Sequence, residues 1–160
     1  MTIAAGERLP DTSFAIMIDG EIKRFTTAEY FGGKTIALFS VPGAFTPTCS
    51  AKHLPGFIEK ADALRAKGVD EIACTAVNDA FVMDAWGRSA GAEGKVTMLA
   101  DGSGDFVRAI DLEMDGRKGG MGMRGRRFSM LVKDGIVSEL NVEEPGEFRV
   151  STADYMLGQL

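Results

Sequence analysis

Cys49 stands in sequence surroundings that are typical of a reactive thiol. It follows Pro47 by two positions, and proline is tolerated in a first helical turn because no hydrogen-bond donor is needed there. A cysteine in such a turn faces free backbone N–H groups and the positive end of the helix dipole. Both features favour the thiolate, which is the reactive form of cysteine. The segment VPGAFTPTCSAKHLPGF, from Val41 to Phe57, is therefore predicted to carry a nucleophile.

Three further polar residues could take part in chemistry at this cysteine. Thr46 lies three residues before Cys49, where its hydroxyl could bind a substrate oxygen or cap the helix. His53 lies four residues after it, so the two side chains could share one helix face as a Cys–His pair. A surface or hydrogen-bonded structural histidine is the favoured alternative. Arg127 immediately precedes a predicted strand and could point into a pocket at the edge of the sheet.

The second cysteine, Cys74, has a different context. It lies in the middle of an apolar segment among Ile72, Ala73 and Val77, so we favour a packed core thiol. Two cysteines, one histidine and no CxxC or HxxxH spacing make a zinc site improbable. A disulfide-stapled secreted domain of this size would usually carry more cysteines.

Length and charge exclude several classes of function. The 160 residues are expected to form one domain, residues 1–160, that binds no metal or other cofactor. A net charge of −5 argues against a nucleic-acid surface, which is usually basic. No apolar run approaches the roughly 20 residues of a membrane span. The first residues lack the basic and apolar regions of a secretory signal, so a cytoplasmic location is expected.

The elements that must position Cys49 follow from hydrophobic periodicity and turn signals. The predicted strands are Ser13–Ile18, Ile22–Phe25, Thr35–Val41, Glu71–Val77, Val96–Ala100, Phe128–Lys133 and Ile136–Val142. The predicted helices are a short one capped by Thr26 or Thr27 and ending at Gly32, an amphipathic one over Ser50–Lys67 interrupted by Pro55, one near Ala80–Arg88, one around Asp105–Ile110, and Thr152–Leu160 capped by Ser151. Asp115–Arg126 is predicted to be a loop. Strands alternating with helices indicate an α/β fold whose sheet is mixed and flanked by helices, with Cys49 at its carboxyl end.

These residues resemble those of a known family. The pattern Pro42-x-x-x-Thr46-x-x-Cys49 is similar to the active-site motif of peroxiredoxins, and the longer string around it resembles the type II, peroxiredoxin-5-like subfamily of the redoxin/AhpC-TSA superfamily. The similarity continues through VDEIACTAVNDAFVMDAWG and RRFSMLVKDGIVSELNVEEPG. The resemblance implies a thioredoxin fold with an N-terminal β-hairpin extension.

The resemblance also implies an enzyme, a thiol peroxidase acting on hydrogen peroxide and alkyl hydroperoxides. Cys49 would be the peroxidatic cysteine and would become a sulfenic acid. Thr46 would hold the peroxide oxygens, Pro42 would shield the pocket from water, and Arg127 would stabilise the thiolate and the leaving oxygen. Two alternatives stay open: a redox sensor, and a general thiol–disulfide oxidoreductase, against which the missing CxxC counts.

The source of reducing thiols and the oligomeric state also follow from the resemblance. Some members carry a resolving cysteine near the C-terminus, and the tail STADYMLGQL has none. Cys74 matches a second cysteine of plant-like and bacterial members and is the candidate resolving residue. We expect one-cysteine behaviour, with re-reduction by glutathione and glutaredoxin or by thioredoxin. A homodimer is expected, with Phe45, Phe81 and Trp86 as its apolar contacts.

Overall fold

Seven of the nine β-strands form one mixed sheet in the computed structural model, which describes residues 1–160. The strands of this sheet are β1 (Ser13–Ile18), β2 (Glu21–Thr26), β3 (Thr35–Ser40), β4 (Glu71–Ala76), β5 (Thr97–Ala100), β8 (Phe128–Lys133) and β9 (Ile136–Val142). Their order is β2-β1-β5-β4-β3-β8-β9. β4 pairs in parallel with both β3 and β5, whereas the other pairings are antiparallel. The predicted mixed sheet is confirmed.

Hairpins close both ends of the sheet, and each turns at an Asp-Gly pair. Asp19 and Gly20 adopt φ values of 51° and 80°, and Asp134 and Gly135 adopt 48° and 76°. Two successive positive φ values give the turn whose twist matches that of antiparallel strands. The first hairpin joins the rest of the sheet through the pair Ala15 and Ala100, so it is the expected N-terminal extension.

Six α-helices cover the two faces of the sheet. They are α1 (Thr27–Phe31), α2 (Leu54–Glu59), α3 (Ala61–Ala66), α4 (Ala80–Ala90), α5 (Asp105–Ala109) and α6 (Ala153–Leu157). The buried apolar side chains of α1 and α5 belong to one apolar cluster, and those of α2, α3, α4 and α6 belong to the other. Central strand β3 supplies both clusters in alternation, which explains why it appears in the sequence as a continuous apolar run. None of these helices combines the length and the apolar character that a membrane crossing requires.

The predicted helix over Ser50–Lys67 consists of three segments. A π-helical turn, Cys49–His53, leads into α2, and Lys60 separates α2 from α3 with φ and ψ of −94° and 7°. Pro55 lies in the first turn of α2. Since proline has no backbone N–H, it cannot continue the hydrogen-bond ladder of the preceding turn. The predicted interruption at Pro55 is confirmed.

The prediction of a loop over Asp115–Arg126 is partly wrong. This segment folds back on itself as a small antiparallel hairpin of β6 (Glu113–Asp115) and β7 (Met123–Gly125). Positive φ values at Gly120 and Gly122 allow the tight return. Strands of three residues are too short to produce a recognisable alternation in the sequence.

The predicted cap of the last helix is displaced by one residue. Thr152, not Ser151, precedes α6, and its side chain accepts a hydrogen bond from the backbone N–H of Tyr155. The Ser151 hydroxyl is instead fully buried and donates to Glu143. Adjacent Ser and Thr residues are equivalent capping candidates by type, so only the fold distinguishes them.

Candidate active site

The loop after β3 is fixed at both sides before it reaches Cys49. The N–H of Val41 donates to the carbonyl of Thr75, and the N–H of Ala44 donates to the side-chain oxygen of Asn78, at 2.9 Å. A helical turn then begins at Pro47. Cys49 therefore lies in a first helical turn at the carboxyl end of a central strand, as predicted.

Hydrogen-bond donors surround the Cys49 sulfur. The side chain is fully buried, and Arg127 donates from Nη2 to Sγ at 3.1 Å. The backbone N–H groups of Thr48 and Cys49 have no acceptor within the protein, as expected for a first helical turn. A guanidinium beside the sulfur and two free amides are suited to hold an anionic sulfur and a substrate oxygen next to it.

The Thr46 hydroxyl is directed away from the backbone of the following turn. It donates to the carbonyl of Gly43 at 2.7 Å, and no N–H group donates to it. The alternative of a capping side chain is therefore wrong. Because its hydrogen is already committed, the hydroxyl keeps lone pairs with which to accept an O–H of a bound substrate.

His53 binds Arg127 rather than serving as a base for Cys49. Its Nε2 donates to the Ser151 carbonyl at 2.8 Å, since a carbonyl can only accept, which leaves Nδ1 to accept from Arg127 Nη1 at 2.8 Å. Burial, followed by the charge of Arg127, lowers the pKa of His53 to about 3, against the opposing effect of the Ser151 bond. The histidine is neutral, and the favoured prediction of a hydrogen-bonded structural residue is confirmed.

The loop over residues 143–151 completes the site and was not predicted. Glu143 Oε2 accepts hydrogen bonds from four donors: the backbone N–H groups of Arg149, Val150 and Ser151, and the Ser151 hydroxyl. The ring of Phe148 lies 5.0 Å from that of His53 and 5.8 Å from the guanidinium carbon of Arg127. A carboxylate beside a Pro-Gly turn is too common a sequence feature to indicate this role.

A groove opens next to the cysteine turn. It has a volume of about 320 Å³, and its lining includes Pro42, Thr48, Arg126, Arg127 and Phe148. Half-buried Pro42 lines this groove together with Thr48, the residue before Cys49. The predicted site residues Pro42, Cys49 and Arg127 therefore meet at one place in the fold.

The three predicted interface residues do not share one environment. Phe45 is 55% exposed and adopts a φ of 63°, and Phe81 is 65% exposed. Trp86 is only 1% exposed, and its ring N–H donates to the Ser50 hydroxyl at 2.9 Å. Its prediction as a subunit contact is therefore corrected, because it packs inside its own chain.

Cys74 is fully buried in β4, in the same apolar cluster as Cys49. Burial, followed by the proximity of Cys49, raises the pKa of its thiol well above the ordinary value, although Arg127 acts in the opposite direction. Both thiols are free. The predicted packing of Cys74 in the core is confirmed.

Comparison with known proteins gives a consistent result. The Redoxin family matches residues 4–157. Peroxiredoxin-2E-2, chloroplastic, from Oryza sativa subsp. japonica is 52% identical over 99% of this chain and 73% of its own length. Peroxiredoxin-2B from Arabidopsis thaliana is 47% identical over 99% of this chain and 98% of its own length. The crystal structure of reduced Prx3 from Vibrio vulnificus in complex with hydrogen peroxide covers 99% of both chains, with 47% identity and a TM-score of 0.96. This likeness confirms the thioredoxin fold.

Proposed function

The chain belongs to the redoxin family and is a peroxiredoxin, a thiol-dependent peroxidase, and from that membership we propose that Cys49 is its peroxidatic cysteine. The observation that carries this assignment is the hydrogen bond of 3.1 Å from Arg127 Nη2 to the Cys49 sulfur. Only Cys49 among the two cysteines lies in a helical turn with free amides. The other, Cys74, is enclosed in a strand whose surroundings disfavour its thiolate.

The reaction is a displacement at oxygen. The Cys49 thiolate attacks one peroxide oxygen, a sulfur–oxygen bond forms, and the O–O bond breaks. The second oxygen leaves with the bonding electron pair and takes up a proton to become water or an alcohol, and sulfur is oxidised to sulfenic acid. Arg127 stabilises the thiolate and then the charge that grows on the leaving oxygen.

Thr46 and Pro42 complete the proposed machinery. With its hydrogen bound to Gly43, the Thr46 hydroxyl accepts the O–H of the peroxide and orients its O–O bond toward sulfur. Pro42 lines the groove and has no N–H with which to bind water. We propose hydrogen peroxide and alkyl hydroperoxides as substrates.

The sulfenic acid requires an external thiol. We propose glutathione with glutaredoxin, or thioredoxin, as the reductant. One thiol displaces water from the sulfenic acid and leaves a mixed disulfide, and a second thiol releases reduced Cys49. No resident cofactor is needed. The groove supports this proposal because it is lined by Thr48, the chain neighbour of Cys49, and by Arg127, which donates a hydrogen bond to the Cys49 sulfur.

We propose that Cys74 does not resolve Cys49 in the resting cycle. Cys74 is fully buried and paired within the sheet opposite Phe39, so a disulfide would need either Cα atoms within about 7 Å of each other or a local unfolding of the Cys49 turn. Intact mass after one equivalent of peroxide tests this: we expect a single oxygen on Cys49 and a free Cys74. Loss of two hydrogens with both thiols blocked would instead identify Cys74 as the resolving residue.

A homodimer is proposed through the surface that carries Phe45 and Phe81. Both rings are mostly exposed, and large exposed aromatic residues are typical of subunit interfaces. Sedimentation of the Phe45→Ser/Phe81→Ser double variant should show a monomer. Tyr155→Ser removes an exposed ring elsewhere and should leave the dimer intact, and a double variant that remains dimeric would exclude this surface.

The cytoplasm is the proposed compartment. The low number of cysteines, both free, is typical of proteins in reducing compartments. Fractionation of cells with an antibody against the chain tests this, and recovery from an organelle fraction would contradict it.

Peroxide consumption per protein tests the peroxidase activity. Reduced protein with excess glutathione and glutaredoxin, or with thioredoxin and its reductase, should consume many equivalents of peroxide. Cys49→Ser should consume none, and Cys74→Ser should match the parent chain. Consumption that stops at one equivalent with every reductant would favour the redox sensor.

A further inference from the structure

The Glu143 carboxylate is a buried group whose hydrogen bonds all go to one loop. It lies directly after β9, only 3% exposed, and a single oxygen receives four hydrogen bonds at 2.7–2.9 Å. Three of the donors are successive backbone N–H groups, from Arg149 to Ser151. Although burial alone raises the pKa of Glu143, these hydrogen bonds lower it overall. The carboxylate therefore closes the 143–151 loop as an anion.

Closure of this loop determines where the Ser151 carbonyl lies. That carbonyl is the acceptor for His53 Nε2 at 2.8 Å. The N–H of Ser151 and its hydroxyl are both held by Glu143, so the peptide group that follows has little freedom to turn. A fixed acceptor at Nε2 keeps the proton there and leaves the lone pair on Nδ1.

The Nδ1 lone pair in turn determines the orientation of Arg127. Nη1 of Arg127 donates to Nδ1 at 2.8 Å, while Nη2 donates to the Cys49 sulfur at 3.1 Å. If Nδ1 of His53 carried a proton, that N–H would face the N–H of Arg127 Nη1. Two donors cannot form a hydrogen bond with each other, so the guanidinium would move away. The backbone of Arg127 is held separately, because its carbonyl accepts from the N–H of Glu143. A side-chain substitution at Glu143 leaves that backbone bond in place.

We propose that the Glu143 carboxylate is a positioning group for Arg127, acting through Ser151 and His53 to hold the guanidinium against the Cys49 sulfur. The proposal rests on the function proposed above, in which Arg127 stabilises the thiolate and the leaving oxygen. It makes a carboxylate that forms no hydrogen bond with the Cys49 sulfur necessary for the rate of peroxide reduction. A role limited to folding would affect stability and leave the folded enzyme's rate unchanged.

The tautomer of His53 provides a direct readout. The chain has one histidine, so a nitrogen-15 NMR spectrum of the imidazole reports on this residue alone. The parent protein should show the neutral Nε2–H form. Glu143→Ala should show exchange between tautomers or a shift toward the Nδ1–H form. An unchanged spectrum would overturn the proposal.

The rate at which reduced Cys49 reacts with hydrogen peroxide, measured in a single turnover, provides the second readout. Glu143→Ala should lower the second-order rate constant by about tenfold, since misplacement of a catalytic group by about 1 Å can cost more than this. Glu143→Gln keeps an oxygen acceptor and should recover most of the rate. Glu143→Asp keeps the charge, but its side chain is shorter, so this variant should not recover the rate. If Glu143→Ala does not fold, Glu143→Asp takes its place in the comparison. Glu139→Ala, on β9 with a single hydrogen bond to Gln159, is the matched control.

A double-mutant cycle identifies the route. If Glu143 acts through His53, then Glu143→Ala should have no further effect on the rate in a His53→Ala background. If the double variant shows the product of the two single reductions in rate, the two residues act independently and the proposal is overturned. The Arg127→Lys variant tests the proposed function separately from the positioning role of Glu143. If this variant reacts with peroxide as fast as the parent, the proposed catalytic role of Arg127 fails, independently of the result of the double-mutant cycle.

Discussion

Acidification should destabilise this protein chiefly through His53. Its pKa falls from the ordinary value of 6.5 to about 3 on folding, so the unfolded chain binds a proton that the folded chain rejects. A group whose folded pKa is depressed makes stability rise with pH between the two values. As the pH falls below about 6.5, the free energy of unfolding should therefore decrease, and this loss should continue down to about pH 3.

The size of the effect follows from the two pKa values. Between pH 7 and pH 5 the unfolded imidazole becomes almost fully protonated while the folded one stays neutral. At about 1.4 kcal/mol per pKa unit, over the roughly 1.5 units from 6.5 to 5, the contribution of His53 is about 2 kcal/mol. For a domain of this size, that corresponds to a decrease of about 4–8 °C in Tm. The side chain is buried, so added salt should change this value little.

Urea unfolding at pH 7 and pH 5 provides the assay, with His53→Gln as the comparison. Glutamine does not titrate and keeps an amide donor for the Ser151 carbonyl. The parent chain should lose about 2 kcal/mol more than His53→Gln over this interval. Because the chain contains no other histidine, the difference belongs to this residue. Equal losses in the two proteins would refute the assignment of His53 as a buried neutral imidazole.

Three other substitutions test separate parts of the structure. Thr46→Val should lower the rate of peroxide reduction up to about tenfold, since it removes one hydrogen bond to the peroxide, which contributes up to about 1.4 kcal/mol. Thr46→Ser should keep most of the rate, and equal rates for the valine variant and the parent would exclude a role for the hydroxyl. Trp86→Phe removes the hydrogen bond to Ser50 and should reduce the free energy of unfolding by about 1 kcal/mol without dissociating the dimer. Dissociation of the dimer in this variant would show that Trp86 does contribute to the interface. Asp79→Ala removes the cap of α4 and should also cost about 1 kcal/mol in urea unfolding; unchanged stability would contradict the capping assignment.

The parts of the fold and of the site that local rules predicted are built from neighbouring residues, whereas Arg127, 78 positions from Cys49, was assigned to the site through the family resemblance. Pro47 and Cys49 define their helical turn by local backbone rules, and Asp19 with Gly20 defines a hairpin in the same way. The parts that were missed depend on distant pairs. The Ser151 carbonyl meets His53 across 98 positions of sequence, and every residue has a carbonyl, so residue type carries no signal for such a contact.

Trp86 shows a different limit of sequence reasoning. Its helix presents one large aromatic residue to solvent and buries another, and periodicity alone did not separate Phe81 from Trp86. A tryptophan can be buried when its ring N–H finds a partner. Here that partner is Ser50 in the cysteine turn, which no local pattern indicates.

The wide turn at Cys49–His53 determines which way the Cys49 side chain points relative to α2. Its closing bond joins the N–H of Leu54 to the carbonyl of Cys49, five residues back, and both side chains are fully buried in the same apolar cluster. In a regular α-helix, residues five apart would point about 140° from each other, since each residue turns the helix by about 100°. Closing this wide turn into a regular α-helix of the same length would therefore swing the thiol away from Arg127. The turn therefore acts as a spacer that lets the Cys49 thiol and the Leu54 side chain of α2 face the same apolar cluster although five positions separate them.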